Sequence, residues 1–246
     1  MTTAQGATRL QSECPEKARK GEKGEAAAVS PFVASGAELV FAWSWLMFPE
    51  ITHDDIFRLE TERMWLRWPR LSDAESVTQL VGDPEVSVRT ANIPHPYNLR
   101  DAEQFIRRAR AENESGQGLV LALAFKRTPN DAIGVIGAHG SDFRGTALLG
   151  YWLGRPFWRQ GLMTEAARGF VDLIFGVTSL GEIVCDATPD NLASRRVQEK
   201  LGFVSLGEIE IDAPARGGRM KVERTRLSRG AAHTAFGARR PKFTST

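Results

Sequence analysis

The run Tyr151 to Phe175, YWLGRPFWRQGLMTEAARGFVDLIF, decides the fold of this chain. A short apolar segment, Thr146 to Leu153, reads as a strand that can cross a sheet. Pro156 and Gly161 then bracket a turn, and a helix begins at once. From Gln160 to Phe175 the residues Met163, Ala166, Ala167, Phe170, Val171 and Ile174 recur at spacings of three and four, which puts them on one helical face. A turn that feeds directly into a helix leaves several backbone N–H groups unpaired and pointing one way. Together with the helix dipole they form an anion site. The same pattern also describes a core-packing helix with a glycine in its first turn, and Gly161 alone does not decide between the two.

The flanking sequence continues the alternation of strands and helices. Strands are expected over Met64–Trp68, Leu119–Phe125, Ala132–Ala138, Glu182–Ala187, Phe203–Ile209 and Met220–Leu227. A helix from Ser72 to Val81 has Ser72 at its N-cap and Glu75 three places on, and Gly82-Asp83-Pro84 ends it. Further helices are expected over Asp101–Asn113, with the stripe Ala102, Phe105, Ile106 and Ala109, and over Leu192–Leu201. This order gives an α/β class with a mixed, mainly antiparallel central sheet flanked by helices. Residues 1–36 read as a disordered leader rich in Gly, Ala, Glu and Lys, and 37–56 as an apolar N-terminal extension. The folded domain is expected over 57–229, and 230–246 as a basic flexible tail without an apolar face. A translation start at Met47 is an alternative reading of the leader.

With 246 residues, 42% of them hydrophobic, the chain can build one generous domain around a real core. Its two cysteines, Cys14 and Cys185, suggest no disulfide framework, which fits a reducing, cytoplasmic setting. Cys185 lies in an apolar run and reads as a buried strand residue rather than a nucleophile. His53, His95, His139 and His233 show no ligand spacing, so no metal is expected. His139 follows a strand and reads as a turn or surface histidine rather than a catalytic base. The most apolar stretch, Leu39 to Phe48, is too short to span a membrane. Between Arg216 and Thr246 stand nine lysines and arginines against Glu223, a net of +8; the rest of the chain, at +2 overall, therefore carries −6. Nucleic-acid contact through this tail is a secondary expectation and not the primary function, because no stacking motif accompanies it.

The central run is similar to the acetyl-coenzyme A motif of the Gcn5-related N-acetyltransferases (GNAT), most closely their ribosomal-protein alanine acetyltransferase-like branch. The family loop Gln/Arg-x-x-Gly-x-Gly/Ala matches here at Trp158, Gly161 and Met163, with only the glycine kept. Gly150-Tyr151-Trp152-Leu153 before the loop and Thr164-Glu165-Ala166 after it frame it as in the family. Asp190-Asn191-Leu192-Ala193-Ser194 through Glu199-Lys200-Leu201-Gly202-Phe203 resembles the next signature. Leu59 through Leu66-Arg67 resembles the first strand. The likeness covers roughly Phe57 to Ser228.

The resemblance implies acetyl-CoA as donor, with no metal. It places the pyrophosphate over the loop Trp158, Arg159, Gln160, Gly161, Leu162, Met163 and Thr164, and the pantetheine arm along the backbone of Trp152 and Leu153. Asn191 matches the position that helps hold that arm and is equally a helix N-cap, while Ser194 matches one that can face the cofactor sulfur or its linker and is equally a local hydrogen-bond partner. Met163 either narrows the pocket or turns into the core. Tyr151 and Ser194 are the candidate catalytic residues. Gln198 stands where many relatives carry an acidic tyrosine, and Leu148 where many carry a glutamate base. The implied activity is transfer of an acetyl group directly to a primary amine, of a protein N-terminus or a peptide. The alternatives are a small-molecule amine acceptor, or a coenzyme A-binding regulatory domain with weak catalysis. A monomer or homodimer is expected.

Overall fold

The computed structural model describes residues 47–141 and 145–236, and the backbone of 242–244. The expected leader, and the extension up to residue 46, lie outside the described residues. Everything below concerns one unit, Ser44–Thr246.

Among the described residues, a 3-10 turn over Glu50–Thr52 leads to a hairpin, β1 (Arg58–Glu60) and β2 (Met64–Arg67), rather than the single strand expected from Met64. Leu59 faces Leu66 across it, and both are fully buried. α1 (Ala74–Val81) follows, but Ser72 is not its cap. A 3-10 turn over Leu71–Asp73 precedes it, and Asp73 occupies the N-cap position. The buried Asp73 carboxylate accepts from both guanidinium nitrogens of Arg67, at 2.8 and 2.7 Å, and from the Arg70 N–H at 2.7 Å. Arg67 is equally buried, and an unpaired charge there would cost about 3–5 kcal/mol. The need to neutralise Arg67 therefore decides which acid sits at the helix entrance.

α2 (Pro84–Ser87) is a short turn capped by Asp83. α3 (Leu99–Ser115) starts on a reciprocal pair, Asn98 with Asp101, and stops at Gly116 with φ 64°. Then come β3 (Gly118–Phe125), β4 (Ala132–Gly140), β5 (Thr146–Leu153), α4 (Leu162–Val177), β6 (Glu182–Ala187), α5 (Leu192–Leu201), β7 (Val204–Ala213) and β8 (Gly218–Ser228). α6 (Arg229–Phe236) and β9 (Lys242–Thr244) close the chain. The sheet order is β7-β8-β6-β5-β4-β3-β2-β1-β9. Every pairing is antiparallel except β5 with β6. The mixed, mainly antiparallel α/β class read from the sequence is the one observed.

Two hydrophobic layers sandwich the sheet. The apolar stripe of α4 packs with Leu121, Ile136, Leu149 and Ile183 on one face, joined by residues of α5 and α6. On the other face α1 and α3 meet each other and the sheet, through Val77, Ile106, Ala109, Val120 and Val135. The expectation that residues from 230 lack an apolar face fails for α6, because Ala232 and Phe236 are buried in the α4 layer. Small residues between Arg229 and Phe236 hid that face from a reading based on charge.

Candidate active site

The register of the one parallel pair builds the site. β5 and β6 pair from Thr146 with Glu182 to Leu149 with Cys185, and there the pairing stops. β5 runs on to Leu153 and remains paired with β4 on its other side, up to Gly134 with Leu153. Gly150 to Leu153 thus present a backbone edge that β6 does not cover, while β6 stays paired with β8 on its other side from Glu182 to Ala187. A wedge opens between the two strands, with its apex at Leu149 and Cys185.

At the far end of β5 the chain enters the loop to α4. A 3-10 turn over Arg155–Phe157 leads to Arg159 at φ 61° and Gly161 at φ 74°. Two left-handed residues one apart turn the backbone sharply, and a non-glycine residue such as Arg159 adopts that conformation at a cost. The first intrahelical bond of α4 runs from Glu165 N–H to Gly161 O at 3.0 Å, so the N–H groups of Leu162, Met163 and Thr164 precede it. No side chain caps this helix. The result is a cradle of backbone donors at the positive end of the helix dipole.

A clamp absent from the sequence reading holds the cradle. Glu165, in the first turn of α4, accepts from Thr61 Oγ1 at 2.7 Å, from Arg63 N–H at 2.8 Å and from Arg63 Nε at 2.6 Å. Arg63 Nη1 also donates to Gln160 O at 3.0 Å. Burial pushes the Glu165 carboxyl up, but the bonds from Thr61 and Arg63 outweigh it and hold the group below the ordinary range. The β1–β2 turn is thereby fastened to the loop. Nothing local in the sequence joins positions about 100 residues apart.

The loop residues divide by role. Leu162 and Met163 turn into the core, so Met163 does not narrow the cradle. Arg159 and Gln160 are exposed, and Thr164 is half-buried. Trp158 Nε1 donates to Leu153 O at 2.6 Å, which ties the loop back to the open edge of β5. The Trp152 side chain lies on the α1/α3 face, leaving only its backbone at the wedge.

At the apex stands a polar cluster in which Cys185, Gln198 and Thr225 are buried and Tyr151 and Ser194 half-buried. Tyr151 Oη lies 2.9 Å from Ser194 Oγ, and Gln198 Nε2 donates to Ser194 Oγ at 3.2 Å and to Cys185 Sγ at 3.2 Å. Thr225 Oγ1 is 3.0 Å from Cys185 O and 3.1 Å from Gln198 Oε1. Asn191 caps α5, its Oδ1 accepting from Ser194 N–H at 3.1 Å, which fixes the turn carrying Ser194. Burial raises the Tyr151 phenol well above its ordinary value, with the neighbouring Cys185 adding to it. Burial likewise pushes the Cys185 thiol up to about 12. Both groups therefore keep their protons at neutral pH, and Cys185 is no nucleophile. Gln198, buried and shared among three partners, is the centre of the cluster.

A cradle of backbone donors, an open strand edge and two half-buried hydroxyls thus line one wedge. The family model described as the acetyltransferase (GNAT) domain matches residues 63–204. The chain belongs to the GNAT family. An uncharacterized N-acetyltransferase, p20 of Bacillus licheniformis, is 31% identical over 160 residues, covering 65% of this chain and 89% of its own. The microcin C7 self-immunity acetyltransferase MccE, solved with acetyl-CoA and AMP, shares the fold at a TM-score of 0.57 and 21% identity, over 68% of this chain and 93% of its own. RimL, a ribosomal L7/L12 α-N-protein acetyltransferase solved with coenzyme A, aligns at a TM-score of 0.59 and 17% identity, over 70% and 97%. Among the described residues of this GNAT chain, no group of three or more His, Cys, Asp or Glu could hold a metal. No helix among them is long and apolar enough to cross a membrane.

Proposed function

We propose that this GNAT chain transfers an acetyl group from acetyl-CoA directly to a primary amine. The observation that carries this is the wedge beyond Leu149 and Cys185, with the uncapped α4 N-terminus at one end and two hydroxyls at the other. Acetyl-CoA supplies an activated thioester. The N–H groups of Leu162, Met163 and Thr164 receive its phosphates, and the edge Gly150–Leu153 takes its pantetheine amides as an added strand would. Tyr151, protonated at neutral pH, donates a hydrogen bond as charge reaches sulfur, and Ser194 orients it.

The acceptor side is walled by a loop that the far end of the sheet holds still. Arg216, at the β7–β8 turn, donates to Ser87 O at 2.8 Å, to Thr90 O at 3.0 Å and to Ile93 O. Ala215 N–H adds a bond to Ala91 O at 3.1 Å. A peptide or protein N-terminus is the acceptor class favoured by the likeness to RimL, while the MccE likeness keeps small amines in the screen. The test is thiol release from acetyl-CoA against alanyl hexapeptide, spermidine and lysine, with products weighed by mass spectrometry. Release that depends on one acceptor class, with a 42 Da gain on that amine, is expected. Tight coenzyme A binding with no acetylated product would make the chain a sensor instead.

A further inference from the structure

The face of the sheet opposite the hydroxyl cluster carries a second group of reactive residues. Register aligns Gly118, His139, Leu148 and Val184 in one row across β3, β4, β5 and β6. The next row toward the wedge is Val120, Gly137 and Gly150. A methyl group on Gly150 would meet nothing within 4 Å, so space stands open on this face beside the apex. His139 lies diagonally across from Gly150. Such pairs are about 7–8 Å apart at Cα, within reach of a long side chain or of one bridging water.

His139 does not stand alone. Its Nδ1 is hydrogen-bonded to Glu112 Oε1, from the last turns of α3. Glu112 is 15% exposed and His139 38%. The contact needs the bare Gly118, since a side chain there would collide with the Glu112 carboxylate. With Nδ1–H donating to the carboxylate, Nε2 keeps its lone pair and is free to accept a proton. The other charged groups of β6 and β8 on this face are paired among themselves, Glu182 with Arg226 at 3.2 Å and Asp186 with Arg224 at 2.7 Å.

We propose that His139 is the general base of the transfer and that Glu112 is its positioning residue. The proposal rests on the acetyltransfer reading above. An alkyl ammonium is protonated at neutral pH and cannot attack until it loses a proton. One proton passes from the ammonium to His139 Nε2, and from its exposed edge to solvent. The nitrogen lone pair then forms the C–N bond while the C–S electron pair leaves with sulfur. A second proton departs the nitrogen and ends on the thiolate through the Tyr151 hydroxyl. The products are an amide, a thiol and one released proton. Base and acid thus act from opposite faces of the sheet, through the gap between β5 and β6.

The test uses the full chain, acetyl-CoA and the best acceptor among alanyl hexapeptide, spermidine and lysine. His139→Gln should lower kcat/KM about 100-fold or more and leave the acetyl-CoA dissociation constant unchanged. It should also abolish the acid limb of the pH–rate profile. Glu112→Gln should lose less and keep the limb. His139→Ala should regain turnover when free imidazole is added, a response that a merely structural histidine would not give. An unchanged kcat/KM and pH profile in His139→Gln would overturn the assignment. So would a His139→Ala enzyme that binds acetyl-CoA normally yet ignores imidazole. Failure of the wild-type chain to acetylate any amine would instead refute the acetyltransfer reading, and this assignment with it.

Discussion

Replacing Gly161 by aspartate and by asparagine separates charge from shape at the α4 cradle. Both side chains must adopt φ 74°, which asparagine and aspartate tolerate better than other residues. Space does not forbid either, since the nearest atom to a Cβ there is Arg63 Nη2 at 3.7 Å. Strain should therefore cost each variant about 1 kcal/mol of stability. Aspartate recovers part of this by placing a negative charge at a helix N-terminus, a gain of about 0.3–1 kcal/mol. Folding alone would rank the two as near equals, with aspartate the more stable.

Binding should rank them in the opposite order. With each phosphate charge about 6 Å from the new carboxylate and an effective dielectric of about 40, the repulsion is about 1.4 kcal/mol per charge. Two charges give about 3 kcal/mol, a loss of about 100-fold in acetyl-CoA affinity. Gly161→Asn should lose less than about tenfold, because it blocks approach without repelling. Titration calorimetry on both variants, with thermal melts as a folding control, measures the difference. The gap should narrow as salt is raised, since screening shortens to a few ångströms at about 1 M. Equal losses in the two variants, or a gap independent of salt, would show that the phosphates lie elsewhere.

Ser194→Ala and Tyr151→Phe should each lower kcat about tenfold or more while changing acetyl-CoA affinity little, because their hydroxyls act as charge reaches sulfur; an equal fall in affinity would place them in ground-state binding instead. With its thiol held near 12, Cys185 should resist iodoacetamide in the native protein at pH 8 and react once unfolded. Because the folded thiol titrates above the unfolded one, its contribution to stability is complete below about pH 8.5 and falls away as pH rises toward about 12; Cys185→Ala should flatten that part of a stability-versus-pH curve measured by urea denaturation. Deleting residues 230–246 removes the buried Ala232 and Phe236 and should cost about 3 kcal/mol or more, seen as a melting temperature lower by several degrees, with acetyl-CoA binding retained below that temperature.

The sequence announces its helices and strands where periodicity is strong. Thr146–Leu153, Glu182–Ala187 and Leu192–Leu201 fall at the bounds read from the sequence, the two strands as apolar runs and the helix between its Asn191 cap and Gly202. The cradle was legible for the same reason: it is a local object, built from consecutive residues around Gly161. What stayed hidden depends on register. That β5 and β6 part at Leu149 and Cys185 is a property of two strands together, while β6 stays paired with β8 along the whole of its other edge. The Thr61–Arg63–Glu165 clamp joins distant turns, and its charged residues look like ordinary surface ions until the fold apposes them.

His139 shows most sharply why local reading fails here. Alone it is a histidine near a strand end, and Glu112 is one of several acids on an amphipathic helix. Their meaning depends on two glycines, of which only Gly150 stands in a motif. Gly118 makes room for the carboxylate to reach the ring, and Gly150 leaves the space beside it open. Substituting either glycine should therefore affect activity through a different route. Gly118→Ala should push Glu112 away from His139 and resemble Glu112→Gln in its pH–rate profile. Gly150→Val should fill the acceptor space, raising KM for the amine more than it changes acetyl-CoA affinity. If Gly150→Val instead weakened only acetyl-CoA, the open volume would belong to the donor. The amine would then have to approach from the α4 face, out of reach of His139.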